Sequence, residues 1–285
     1  MTYSESFYKS NDGLDLYYRK YGTSSSKLPL ICLSGLTRNS GDFAEFAEHF
    51  SKDRAVYTLD YRGRGKSEYD KDHANYNPQV YLGDIMAFFQ ATDITKAVFI
   101  GTSLGGLLTM GLAGLVPQYV AAAVLNDVGP EVSSDGGERI AGYVGKDVRY
   151  PTLAAATAAQ KAQYSGAYPD LEDEEWRHTT EVGYVFDEKA GNFRANYDLA
   201  LGKALQDQIS NDAPIDLWPF FEAMTAIPVL SIRGALSDVL SADVFQKMQD
   251  SNPNMTAVTL ENRGHVPLLN EPLSMQHLTR FLKNV

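Results

Sequence analysis

Residues 97–115 read AVFIGTSLGGLLTMGLAGL. Val98, Phe99 and Ile100 form a short apolar, β-rich run bounded by Gly101, the pattern of a central strand covered on both faces. Leu104, Leu107, Leu108, Gly111, Leu112 and Leu115 then fall at helical spacing. The chain therefore passes from strand to helix at Ser103, inside Gly101-Thr102-Ser103-Leu104-Gly105, the Gly-x-Ser-x-Gly spacing of a nucleophile elbow. A turn that tight strains the serine backbone, and side chains at 101 or 105 would crowd the adjoining strand and helix. It leaves a hydroxyl exposed at the start of a helix, with the Leu104 N–H and the helix dipole directed at any anion that forms there. Chance alone places such glycines around a serine in some loops; the flanking strand and helix favour the motif here. The uncharged run 97–125 is too divided by Pro117 and its glycines to read as a membrane span.

The 285 residues are 44% hydrophobic, enough for one large core. With 25 basic against 36 acidic residues the net charge is -11, which disfavours nucleic acid or an anionic membrane as partner and fits a small neutral or cationic ligand. The single cysteine, Cys32, lies in an apolar run and reads as core packing. The first residues do not follow a basic start with an apolar segment, so no secretory signal is read and a cytoplasmic protein is the expectation. The sequence leaves the oligomeric state open.

Outward from the elbow, residues 3–21 alternate polar and apolar around Asn11-Asp12-Gly13, predicting an antiparallel hairpin. Strands are predicted at 28–33, 55–59, 121–125, 227–232 and 257–260, and helices at 41–51, 78–92, 241–249 and 273–282. This alternation implies a mostly parallel sheet with helices on both faces, whose sites gather at the carboxyl ends of strands. Ser34, Asp60, Ser103 and Asp127 all follow predicted strands and are candidates for one crevice. From residue 131 to 214 the rhythm breaks into helical pieces at 152–164 and 172–181 and a turn at 187–192. This is read as an inserted, mainly helical cap on a core formed by residues 1–130 and 215–285. Its aromatics, Tyr143 and Trp176 among them, are candidates to line a pocket, though packing within the cap is the simpler reading of any one.

A serine hydroxyl needs a base to take its proton, and a histidine base needs a carboxylate to hold its tautomer. Of the five histidines, His49 and His277 lie in helices, His73 in a polar loop and His178 in the cap. His265, after Gly264, occupies a loop just beyond a core strand. Asp238 also follows a core strand, giving Ser103, Asp238 and His265 in the order nucleophile, acid, base.

These features together resemble the α/β-hydrolase family with an inserted cap, over nearly the whole chain. The resemblance rests on the Ser103 elbow, Ser34-Gly35 where the family often has His-Gly, Asp60-x-Arg62-Gly63-x-Gly65-x-Ser67, the Ser237-Asp238 loop and Gly264-His265. It implies an α/β fold with an eight-stranded, mostly parallel sheet, and oxyanion donors at the Leu36 and Leu104 N–H groups. Asp60 and Arg62 are implied to build a structural turn. Asp127 is a competing acid, because some family members carry their carboxylate after this earlier strand, but Asp238 fits the commoner pattern. Arg38, just beyond the oxyanion loop, is a candidate for binding an acidic substrate, with an ion pair as the alternative. A serine at the elbow speaks against dehalogenase or epoxide hydrolase chemistry, which builds an ester on an enzyme carboxylate.

The expected activity is serine hydrolysis of a small carboxylic ester or lactone through an acyl-enzyme, without metal or organic cofactor. Carbon–carbon bond hydrolysis of a diketone-like acid is the alternative reaction, and a non-catalytic ligand receptor on the same fold is the alternative of another class.

Overall fold

The polar and apolar alternation of the first residues does form a hairpin. In the computed structural model, which describes residues 2–211 and 215–285, β1 (Tyr3–Lys9) and β2 (Asp15–Tyr21) pair antiparallel from Tyr3 opposite Tyr21 to Lys9 opposite Asp15. β3 (Leu30–Leu33), α1 (Ala44–Phe50), β4 (Val56–Leu59), α2 (Pro78–Thr92), β5 (Ala97–Thr102), α3 (Leu104–Leu115) and β6 (Val120–Asn126) follow. The predicted helix at 41–51 is split, because Asn39 caps a short 3-10 turn at Ser40–Phe43 before α1 begins.

After β6 come α4 (Ser134–Tyr143), β7 (Arg149–Tyr150), α5 (Leu153–Tyr164), α6 (Asp173–Gly183), β8 (Tyr184–Asp187), β9 (Asn192–Ala195) and α7 (Ala200–Asn211). The predicted turn at 187–192 joins β8 to β9, and these strands form a small sheet ordered β7-β9-β8. The expected boundary at residue 214 lies outside the described residues. The chain closes with α8 (Trp218–Glu222), β10 (Val229–Gly234), α9 (Ala242–Ser251), β11 (Met255–Leu260) and α10 (Pro272–Lys283).

The main sheet has eight strands in the order β1-β2-β4-β3-β5-β6-β10-β11. β2 is antiparallel to β1 and β4, and the remaining neighbours are parallel. Side chains alternate across it, as a doubly covered sheet requires. Ile31, Leu33 and Phe99 face one core with α2, α3 and α9, whereas Leu30, Cys32, Val98 and Ile100 face the other with α1 and α10. Cys32 is a fully buried free thiol in that second core. The order β3-β5-β6-β10 brings the carboxyl ends of four parallel strands side by side, and the site is built on them.

Candidate active site

Ser103 sits between β5 and α3 at φ 51° and ψ -117°, a conformation that a non-glycine residue holds only under constraint. The constraint is visible at its neighbours. A Cβ on Gly105 would stand 2.0 Å from the Leu33 carbonyl oxygen, and one on Gly101 would stand 2.5 Å from that of Gly105. The Ser103 N–H donates to Asn126 O at 3.1 Å, and the Gly105 N–H to Ser34 O at 3.1 Å, so the turn is tied to β6 and to the loop after β3.

His265 Nε2 lies 2.9 Å from Ser103 Oγ. On the other side of the ring, Nδ1 lies 2.7 Å from Asp127 Oδ2. Asp127 follows β6 at φ 53° and is fully buried. Its Oδ1 accepts the Gly234 N–H at 2.8 Å, and its Oδ2 accepts the Ser237 hydroxyl at 2.5 Å. Such an arrangement lets one ring nitrogen take a proton from the serine while the carboxylate faces the other.

The expected acid, Asp238, is not at this position. After β10 ends at Gly234 the chain turns, with the Ser237 N–H donating to Gly234 O at 3.0 Å. That turn brings Ser237 onto Asp127 and leaves Asp238 facing α4, where Arg139 engages both carboxylate oxygens. α4 packs closely on this turn, since a Cβ on Gly136 would stand 2.5 Å from the main-chain Asp238 O. The Arg139 guanidinium holds the Asp238 carboxyl below the usual carboxylate range.

The Leu36 and Leu104 N–H groups have no backbone acceptor among the described residues. Leu36 lines a cavity of about 430 Å³ that opens on Ser103 and His265. The cavity is walled by Gly35 to Arg38 on one side and by α4, α5 and α6 on the other, with Tyr143, Tyr150, Tyr164, Tyr168, Trp176, Tyr184 and Tyr197 on its surface. Burial pushes the Tyr164 phenol up to about 12, and raises Tyr143 and Tyr168 as well. The Tyr168 hydroxyl donates to Val266 O at 3.1 Å, next to His265.

Arg38 lines the cavity but is already paired. Its Nε donates to Asp42 at 2.8 Å, and its Nη2 bonds both Asp42 and Thr179 O of α6. Asp60 is engaged by backbone donors, accepting the Ser40 and Lys66 N–H groups at 2.6 and 2.8 Å. Arg62 is buried and ringed by Asp12, Asp70 and Asp84. Among the described residues no group of three or more His, Cys, Asp or Glu is placed to hold a metal ion, and no helix is long and apolar enough to cross a membrane.

A family model described as the alpha/beta hydrolase fold matches residues 29–272. The chain belongs to the α/β-hydrolase family. It is 30% identical over 271 residues to the 3-hydroxybutyrate-oligomer hydrolase of Cupriavidus necator, covering 93% of this chain and 91% of that protein. The 2-(acetamidomethylene)succinate hydrolase of Mesorhizobium japonicum is 25% identical over 254 residues, covering 89% and 87% of the two chains. The crystal structure of an α/β hydrolase from Novosphingobium aromaticivorans superposes with a TM-score of 0.95 at 41% identity, over 99% of both chains. An α/β-hydrolase enzyme is therefore supported by fold, by sequence and by hydrolase relatives together.

Signals for two of these groups were present in the sequence but not decisive. Asp127 directly follows a core strand. Ser237 precedes the aspartate that fitted the commoner pattern, and its own hydroxyl is the group that reaches the site.

Proposed function

We propose that this protein is a serine hydrolase that cleaves a short carboxylic ester or lactone through an acyl-enzyme. The observation that carries the reading is the unbroken relay from Ser103 Oγ through His265 to buried Asp127, at 2.9 and 2.7 Å. In this scheme His265 Nε2 takes the Ser103 proton as Oγ attacks the carbonyl carbon. The resulting oxyanion is held by the Leu36 and Leu104 N–H groups, Leu104 lying at the N-terminus of α3, and the proton then passes to the leaving alkoxide. Water activated by the same histidine releases the acid. Asp127 takes the orienting role, and residues 131–214 act as a cap whose tyrosines and Trp176 shape the acyl pocket.

The relative named for 3-hydroxybutyrate oligomers supports an ester, and specifically a short hydroxy-acid oligoester, as a substrate class to test first. Carbon–carbon hydrolysis of a diketone-like acid would use the same relay. The relative named for 2-(acetamidomethylene)succinate has an acidic, amide-bearing compound in its name, so substrates other than esters stay in view. A ligand receptor has no need of the intact relay. The test is hydrolysis of p-nitrophenyl esters from acetate to octanoate and of hydroxybutyrate dimers and trimers, beside Ser103→Ala. Turnover by wild type and its loss in a folded Ser103→Ala variant support the reading. Turnover of a vinylogous diketone with none of any ester shifts it to carbon–carbon chemistry, and appreciable residual turnover by Ser103→Ala contradicts the nucleophile.

A further inference from the structure

We infer that Arg64 is a positioning residue of the oxyanion loop and supplies an unpaired positive charge behind it. The inference rests on the serine-hydrolase reading above. Arg64 has 0% of its surface exposed, yet no carboxylate lies within ion-pair distance among the described residues, whereas its buried neighbour Arg62 has three. Burying a charge without a counter-ion is costly, so the fold must compensate it in other ways.

The compensation consists of neutral groups. Nε donates to Leu36 O at 2.9 Å, and Nη1 donates to Arg62 O at 2.7 Å and to the Tyr81 hydroxyl at 2.9 Å. The guanidinium carbon lies 4.8, 5.6 and 5.7 Å from the ring centres of Tyr81, Tyr76 and Tyr61, within cation–π range. Nη2 is buried and has no hydrogen-bond partner among the described residues. Carbonyl dipoles and ring faces orient and stabilise the guanidinium without cancelling its charge.

Placement gives that charge a use. The carbonyl it grips belongs to Leu36, whose own N–H is assigned to the oxyanion. The same segment holds the loop at two further points, through Tyr61 OH to Ser34 O at 3.1 Å and Asp60 Oδ1 accepting the Ser40 N–H at 2.6 Å. Holding the Leu36 carbonyl fixes the direction of the residue that carries the donor. A cation on the carbonyl of the donor residue attracts full negative charge more than the partial charge of a ground-state carbonyl, so its effect falls on the transition state.

The experiment uses the full chain and a trifluoromethyl ketone carrying ¹³C at its carbonyl, which adds to Ser103 as a hemiketal whose ionisation is read by NMR. Arg64→Met is expected to lower kcat on p-nitrophenyl butyrate about 30-fold with KM within about threefold, and to weaken the ketone by a similar factor. The hemiketal pKa should rise by about one unit or more, and Arg64→Lys should recover about tenfold of the lost kcat. An unchanged hemiketal pKa in folded Arg64→Met, or a Lys variant as impaired as the Met variant, overturns the inference. If Arg64→Met does not fold, Arg64→Gln decides: a raised hemiketal pKa supports the inference and an unchanged one overturns it. Wild type that forms no hemiketal overturns the serine-hydrolase reading and this inference with it. A reactive wild type with an indifferent Arg64 series overturns the inference alone.

Discussion

Asp127 serves three groups at once, with the Gly234 N–H on one oxygen and the Ser237 hydroxyl and His265 ring on the other. An amide in its place turns an NH₂ group toward at least one donor. Asp127→Asn is therefore expected to lower kcat on p-nitrophenyl butyrate by about 10⁴-fold. Asp238→Asn should change it by less than about threefold, because it removes an ion pair whose side chains are roughly a third exposed. Steady-state kinetics of the two variants decide, and equal losses would contradict the assignment of Asp127. The sequence could not separate these two acids. They follow neighbouring parallel strands, paired from Val229 opposite Ala123 to Ile232 opposite Asn126, so both emerge at the same edge of the sheet. Which side chain turns back depends on the φ of 53° at Asp127 and on the turn after Gly234, and neither leaves a mark in residue type. Ser103 and His265 were legible because each had a local signature, the two glycines of the elbow and a loop position just after a core strand.

The elbow binds its elements so tightly that its glycines have almost no tolerance. Gly105→Ala would drive a methyl to 2.0 Å from a β3 carbonyl, and the rigid backbone on both sides leaves no room for it. The expected loss is about 3 kcal/mol or more, seen as a Tm lowered by several degrees or as failure to accumulate folded protein. A Gly105→Ala variant with wild-type Tm would contradict the packing of α3 on β3. At the β1–β2 turn the controlling interaction is electrostatic. Arg62 holds the Asp12 carboxyl down at about 2, so this pair stabilises the fold above the ordinary carboxylate range and stops doing so as pH falls through 2. Asp84, on the same guanidinium, is pushed upward by its burial and acts in the opposite sense. Because Asp12 is half-exposed, solvent screening reduces its contribution, and Asp12→Asn should cost about 1 kcal/mol at pH 7. Urea denaturation should show that difference shrinking between pH 4 and 2, and a constant difference would remove Asp12 from the network. Elements with regular apolar spacing, such as α2 and α3, could be read directly. α4 could not, because its sequence SDGGERIAGY places three glycines and three charges where a helical stripe would otherwise show.

At the scale of the whole molecule, the segment between β6 and β10 is tied to the sheet by Arg139 on Asp238, by Arg38 and Asn39 on the carbonyls of Thr179 and Val182, and by the Asp198 N–H on Gly63 O. The cavity at Ser103 lies between this segment and the ends of the strands. In the sequence this segment showed as a break in the strand and helix rhythm. Which aromatics meet the cavity was not visible there, since that depends on how α4, α5 and α6 lean together. Phe186 and Phe193, from the same segment, pack on each other at 5.2 Å in the β8–β9 hairpin instead. Trp176 is the largest wall residue, nearly buried and standing edge-on to Tyr168 at 5.8 Å. Replacing its indole by a methyl lengthens the cavity on the α6 side without touching the relay. Each methylene that gains a buried place is worth about 0.8 kcal/mol, roughly fourfold in kcat/KM. Room for two more should raise the octanoate-to-butanoate ratio of kcat/KM about fifteenfold in Trp176→Ala, with acetate turnover nearly unchanged. A p-nitrophenyl ester series on both proteins measures this directly. An unaltered chain-length profile in a folded variant would mean that the acyl chain does not run toward α6, and that the reach of the pocket is limited by the tyrosines of α4 and α5.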